Sequence, residues 1–377
     1  MSYDVAVVGL GSVGSAVLYE IARAGRSVIG IDQADPPHDQ GSHHGTVKAY
    51  RRCYYEHPDY VPLLDASLAC WREVEDAAGE VLLETTGGLY IGAPESELVA
   101  GSCMSAQRHN LEHSMFDHAA LRDRFPQFEL PSTMVGFFEP DAGMVYCERA
   151  VRAYRRLAAG GGAEQRINTH VIGWRDDGND VVVKTDSGEI RAASVVLCAG
   201  PWMGSLLHEH GIRIEATRQI SSWFAPAGQT MCRPDVMPLW GVEIGTDFYY
   251  GFPMHDDAIG MKVGRHRPDA RSDINDLDRA IRQGDGDDNA AFVAAHVPAA
   301  SDRVVAQQVC PYAMSDDAHF IVDRLPASPR VFIIAGMSGH GFKFVSVLGR
   351  LVAQHVCDGA IDPSIEFLSL SRFDRRA

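Results

Sequence analysis

The 377-residue sequence has no CxxC pair, and its eight cysteines follow no zinc-ligand spacing. A disulfide framework and a metal site are therefore not expected; scattered cysteines of this kind read as small buried hydrophobes. No apolar run approaches the roughly eighteen residues that would suggest a membrane span. No signal-peptide pattern is present, because MSYDVAVVGLG passes almost directly into a strand. The expectation is a cytoplasmic protein without membrane contact. Basic residues are in the minority, 34 Lys and Arg against 50 Asp and Glu, for a net charge of −16. That balance argues against nucleic acid, whose binding rests on neutralising phosphates. It does not exclude a small anionic ligand, because screening lets a local cluster of cations outweigh a distant acidic surface. Internal repeats and low-complexity segments are also absent.

What is present suits a soluble globular chain long enough for two domains: 46% hydrophobic and 22% charged residues. The first chemical signal is DVAVVGLGSVGSAVLYEIARAGRSVIGID. It reads as a strand over 4–8, a glycine turn, a helix over 16–24 and a strand over 27–31 ending at Asp32. Gly9, Gly11 and Gly14 form G-x-G-x-x-G. Gly9 permits the turn, Gly11 admits a pyrophosphate to the backbone, and Gly14 lets helix and sheet pack closely. The helix N-terminus offers free N–H groups to the phosphates, and Asp32 can accept from ribose hydroxyls. An acid at that point disfavours NADP; NAD and FAD both stay open.

Further along, 36–52 reads as a polar loop that turns basic at its end, 60–77 as an amphipathic helix, and TTGGLYIG as a strand. A helix is expected around 148–158. Residues 176–200 read as a strand, an Asp-Ser-Gly turn and further strands, ending Cys198-Ala199-Gly200. Residues 215–270, rich in aromatics and turn signals, suggest a second, sheet-rich domain. Residues 273–301 are acidic, helical in places and interrupted by Gly and Pro, and read mainly as solvated surface. RVFIIAGMSGHGFKFVSVLGRLVAQHV then gives a strand (331–335), a glycine-rich turn (336–341) and a helix (342–356). This late unit directs another helix N-terminus towards one cofactor, where its positive end would stabilise charge on a reduced flavin. A cofactor domain assembled from three separated segments favours FAD over NAD.

One stretch stays ambiguous on its residues alone. In QVCPYAM, Cys310 is either another packed thiol or a reactive one. Several stretches taken together decide the reading: VGLGSVGSA, DPPHDQGSHHG, YVPL, YYGFP, MKVGRH, QVCPY, DDAHFIVD and AGMSGHGFKF. With them the whole chain resembles the monomeric sarcosine oxidase and N-methyltryptophan oxidase family of amine-oxidising flavoproteins. The resemblance implies a D-amino-acid-oxidase-type α/β fold. In such a fold a Rossmann-like FAD-binding domain (1–85, 142–214 and 321–377) is joined to a substrate domain (86–141 and 215–320) built on a largely antiparallel sheet.

The resemblance also implies FAD carried on Cys310 through a thioether to the flavin 8α-methyl. Cofactor contacts are expected from Gly9, Gly11, Ser12, Val13, Gly14, Asp32 and Gln33, and from Ser42, His43, His44 and Lys48. Val171, Gly200, Gly339, Gly341, Phe342 and Lys343 complete that set. Arg51 and Lys343 match the family's carboxylate-binding pair, Lys262 its oxygen-activating lysine and His266 a cavity histidine. Tyr250, Phe252 and Tyr312 match pocket aromatics. Read without the resemblance, these are a surface arginine, a helix-start lysine, a strand-edge lysine, a lone histidine and core aromatics. Lys48 stands where the family commonly has an arginine, which keeps the charge and loses the guanidinium fork.

The implied activity is oxidation of a small N-methyl amino acid, sarcosine first, to an imine that water hydrolyses, with O2 reduced to H2O2. N-methyl-L-tryptophan, a cyclic imino acid such as proline or pipecolate, and a dehydrogenase with another acceptor are the alternatives. A non-catalytic flavin- or NAD-binding protein is a further one. No metal is expected, and a monomer is implied.

Overall fold

A computed structural model describes residues 2–266 and 270–374. The first strand, β1 (Ser2–Val8), leads through the glycine turn into α1 (Ser12–Arg23) and back to β2 (Val28–Ile31). β1 and β2 pair in parallel, which requires the crossover helix between them. Gly14 is needed here because a Cβ on it would stand 1.7 Å from the Gly9 carbonyl oxygen. Around this unit forms an eight-stranded sheet in which β1 also pairs in parallel with Gly188–Leu197, and that strand with Ser328–Ala335. Val171–Asp176 and Val181–Thr185 extend one side as antiparallel strands, joined to Gly188 through the expected Asp-Ser-Gly turn. α1 packs against the helices Cys147–Gly160 and Val345–Asp358 on one face of the sheet.

A nine-stranded sheet draws its strands from 88–139 and 215–314, antiparallel except where Leu239–Ile244 runs alongside Gly88–Gly92. Its long members, Glu215–Pro226 and Ala300–Met314, pair over most of their length, so Cys310 sits opposite Gln219 inside the ladder. A three-stranded sheet of Leu83–Thr85, Gly143–Tyr146 and β3 (Val47–Tyr50) lies between the segments feeding the two large sheets.

Three expectations change. The end of the 36–52 loop is the strand β3; its four residues are too few to show alternation in sequence. The last helix proper begins at Val345, preceded by a 3-10 turn over Phe342–Phe344, so Lys343 lies in that turn. The acidic stretch 273–301 is not only solvated surface. Its helix Asp287–His296 buries Phe292 and Val293, and the Phe292 ring stacks on Tyr249 at 4.2 Å. Among the described residues no helix is long and apolar enough to cross a membrane.

Candidate active site

Both glycine turns open into one cavity of about 490 Å³. Gly9, Gly11, Ser12, Val13, Asp32 and Gln33 line it from the first unit, and Ser42, His43 and Lys48 from the following loop and strand. Val171 and Gly200 close one side, and Tyr312, Gly339, Gly341 and Phe342 another. α1 has Gly11 at its N-cap with no side-chain cap, which leaves its first N–H groups directed at the cavity. Asp32 accepts from Leu10 N at 2.7 Å and Ala34 N at 2.9 Å, so its carboxylate is held rigidly at the end of β2. An uncapped helix start, a glycine cradle and a fixed carboxylate in one cavity are the donor set a dinucleotide needs; FAD fits these residues.

Four of the expected cofactor positions lie off the cavity wall. Gly14 packs beneath the turn. His44 meets Gln308 at 3.3 Å. Lys343 follows the wall residue Phe342 in the chain, and Cys310 precedes the wall residue Tyr312 by two positions. Cys310 is buried, and Lys48, which does line the cavity, donates to its sulfur at 3.4 Å. Lys48 is held above the ordinary lysine range: burial opposes its charge, but Cys310, Cys147 and Tyr250 outweigh it.

Arg51 and Lys343 come together although they are far apart in sequence. Both are buried, at 7% and 3% exposure. The Arg51 guanidinium carbon lies 4.4 Å from the Tyr54 ring centre and 4.4 Å from that of Tyr55. Lys343 Nζ lies 5.2 Å from the same Tyr54 ring and donates to His340 O at 2.6 Å. Burial, then the neighbouring Arg51 charge, bring Lys343 down to about 7. One edge of Arg51 is bonded to Glu56; its Nη1 is buried with no hydrogen-bond partner among the described residues, as is Glu56 Oε2. Burial works to raise Glu56, but Arg51, His340 and Lys343 together hold it down to about 2.

A second group of expected residues reaches the glycine-lined cavity through Tyr312. His266 Nδ1 meets Tyr312 OH at 3.2 Å, and Tyr312 hydrogen-bonds Tyr250. Burial lowers His266 to about 4, so it is neutral at ordinary pH. A Cβ on Gly339 would stand 2.3 Å from the Tyr312 ring, and Gly339 has φ +80°; only glycine lets the late turn lie against this aromatic. Lys262, 1% exposed, donates to Gly45 O at 2.6 Å and Val47 O at 2.9 Å, with the Trp223 and Phe252 rings at 5.6 and 5.5 Å. Burial and then Lys48 lower it to about 8.

Sequence reading missed Glu56, Tyr54, Tyr55, His340, His38 and Glu139. Glu139 is buried and accepts from the backbone N–H of Arg52 and Cys53 and from Tyr90 OH, which pins the segment carrying Arg51. His38 lines the cavity, and its Nε2 lies 3.6 Å from Asp32. RRCYYEH offers no periodicity that singles out Tyr54, Tyr55 or Glu56; only the DPPH turn hinted at His38.

Comparison with known proteins decides the family. The family model described as FAD dependent oxidoreductase, DAO, matches residues 4–355. The chain belongs to the DAO family of FAD-dependent oxidoreductases. It is 34% identical to the monomeric sarcosine oxidase of Streptomyces avermitilis, over 95% of this chain and 94% of that protein. It is also 34% identical to the N-methyl-L-tryptophan oxidase of Citrobacter koseri, over 94% of each. Among solved structures, the fold matches NikD, an unusual amino acid oxidase essential for nikkomycin biosynthesis, with a TM-score of 0.87 and 23% identity. That match covers 98% of this chain and 97% of NikD. L-proline dehydrogenase from P. horikoshii matches with a TM-score of 0.84 and 20% identity, over 100% and 98% of the chains. As a DAO-family flavoenzyme, the protein has the mixed α/β architecture of these relatives.

Proposed function

We propose that this flavoenzyme oxidises the secondary amine of a small N-methyl amino acid, sarcosine being the first candidate. The product is an imine that water hydrolyses to amine and aldehyde, while O2 becomes H2O2. The observation that carries this reading is the pairing of Arg51 and Lys343 on one tyrosine ring, with a buried Arg51 N–H lacking a partner. Two desolvated cations of this kind suit a ligand carboxylate. FAD, when bound, supplies the two-electron acceptor. The segments 1–85, 142–214 and 321–377 form its domain in this reading, with 86–141 and 215–320 forming the substrate domain.

The chain's own groups then have distinct tasks. Arg51 and Lys343 hold the carboxylate and so fix where the amine lies. The incoming carboxylate meets the unpartnered Nη1 edge of Arg51, while Glu56 stays on the other edge and keeps the guanidinium paired in a dry site. Neutral His266, tied to Tyr312, influences the amine's protonation or holds a water beside it. Lys262 keeps a positive charge where oxygen gains electrons. Cys310 is the attachment point for the cofactor, with Lys48 beside its sulfur.

A larger substrate, N-methyl-L-tryptophan, is the second reading. It is favoured by the row of Tyr55, Phe248 and His266 rings at successive centre distances of 5.9 and 5.7 Å. The deciding experiment is the absorption spectrum of the purified protein with sarcosine or N-methyl-L-tryptophan added without oxygen, followed by peroxide release in air. Bleaching by sarcosine supports the first reading. Bleaching by N-methyl-L-tryptophan alone supports the second, and bleaching by neither overturns both. Yellow colour that stays with acid-precipitated protein, and is lost in Cys310→Ser, is expected for the covalent link.

A further inference from the structure

His340 occupies the late turn between Gly339 and Gly341, both on the cavity wall, yet is not itself a wall residue; its ring lies beside those of Tyr54, Tyr60 and Phe320. Its Nε2 lies 2.9 Å from the carbonyl oxygen of Ala318, and its Nδ1 is hydrogen-bonded to the Tyr54 hydroxyl. A carbonyl oxygen can only accept, so Nε2 carries the proton. In a neutral ring Nδ1 is then bare and must accept, which makes Tyr54 the donor. Burial holds His340 down at about 3, so the neutral ring is the form present. Ala318 reaches His340 by adopting φ +61°, a left-handed conformation that is costly for a residue with a Cβ. The backbone is strained where it points that carbonyl inwards.

Tyr54 is the ring both cations share, with Arg51 at 4.4 Å and Lys343 Nζ at 5.2 Å from its centre. The same His340 takes the Lys343 ammonium on its backbone carbonyl at 2.6 Å. One residue thus touches both halves of the cation pair, Lys343 directly and Arg51 through the face of Tyr54. It sits on the turn that forms the cofactor wall. We infer that His340 is a positioning residue: its single tautomer fixes the Tyr54 ring, and the ring holds Arg51 and Lys343 in register to receive a carboxylate. This inference rests on the carboxylate site of the proposed function and assigns its rigidity to a residue that does not itself meet substrate.

The test is calorimetric titration of the FAD-loaded protein with acetate, on wild type, Tyr54→Phe, His340→Leu, His340→Asn and Arg51→Leu. Steady-state kinetics on whichever of sarcosine and N-methyl-L-tryptophan bleaches the flavin accompany it. Tyr54→Phe keeps the ring face and loses only the hydroxyl, and His340→Asn keeps an acceptor near the position of Nδ1. Tyr54→Phe and His340→Leu are expected to weaken acetate roughly fivefold, the factor that one lost buried hydrogen bond represents. KM should rise by a similar factor, with kcat within about twofold, while His340→Asn recovers most of the affinity. Flavin absorbance per protein monitors folding, and an equal loss for Asn and Leu would overturn the inference in favour of general packing. So would wild-type affinity in Tyr54→Phe and His340→Leu while Arg51→Leu abolishes binding, and the carboxylate site would then survive alone. Acetate failing to bind wild type at all would remove the site and this inference together.

Discussion

Among the described residues Lys262 has no carboxylate as a hydrogen-bond acceptor; its ammonium is met by two backbone carbonyls and two ring faces. Substitution by Met keeps the stem's volume and removes the charge. Lys262→Met is expected to slow reoxidation of the reduced protein by oxygen on the order of a hundredfold or more. Anaerobic reduction by substrate should be nearly unchanged, and stopped-flow absorbance separates the two. The same lysine has a stability signature. Its folded value of about 8 lies below the 10.5 of an exposed lysine, so between these values the unfolded chain binds the proton more tightly. Its contribution to stability therefore rises with pH across that window, and Lys262→Met should lack the rise in denaturation midpoints.

Lys343 argues in the other direction for binding. Near 7 it loses its proton in the free protein, and a carboxylate favours the charged form. Acetate affinity should be flat from above acetate's own pKa up to about pH 7 and fall beyond that, approaching tenfold per pH unit. Calorimetry in buffers of different ionisation enthalpy should register proton uptake on binding.

At the scale of elements, the cofactor turn depends on a helix contact that contains no cofactor residue. A Cβ on Gly349 would stand 2.6 Å from the Cβ of Ala16 and 2.9 Å from its carbonyl carbon. The late helix can cross α1 at this distance only without a side chain there. Gly349→Ala is expected to destabilise the fold by about 1–3 kcal/mol and to lower the FAD content, since the uncapped N-terminus of α1 lies on the cavity wall. Urea denaturation with flavin quantitation checks both. α1 was legible because glycine spacing, helical periodicity and the closing Asp32 agree. β3 was not, since Val47–Tyr50 shows strand character only once it pairs with Gly143–Tyr146. Helix within 273–301 was expected, but as solvated surface: the acidic first turn of Asp287–His296 pointed outward, and only packing shows that Phe292 enters the core.

At the scale of the molecule, the cavity is closed by segments from both ends of the chain and from its middle, so an occupant ties them together. Anything bound to the folded state alone stabilises it by mass action, by about 4 kcal/mol at a thousandfold excess over Kd. If FAD is attached at Cys310, the wild-type Tm should be independent of added FAD, while that of Cys310→Ser should climb with FAD concentration. Scanning calorimetry over a series of FAD concentrations checks this.

Turns, helical faces and the glycine fingerprint were readable because backbone sterics and side-chain periodicity act over a few residues. Those local rules determined the nucleotide-binding unit, the late strand–turn–helix and the position of Asp32. Which charges leave water, and what they meet there, depends on segments that folding alone brings together. Tertiary structure decided that Arg51 is bonded to Glu56 and enclosed by Tyr54 and Tyr55, and that Lys343 and His340 reach the same ring. Desolvation and ion pairing depend on distance in space, and nothing in the order of residues around RRCYYEH records it.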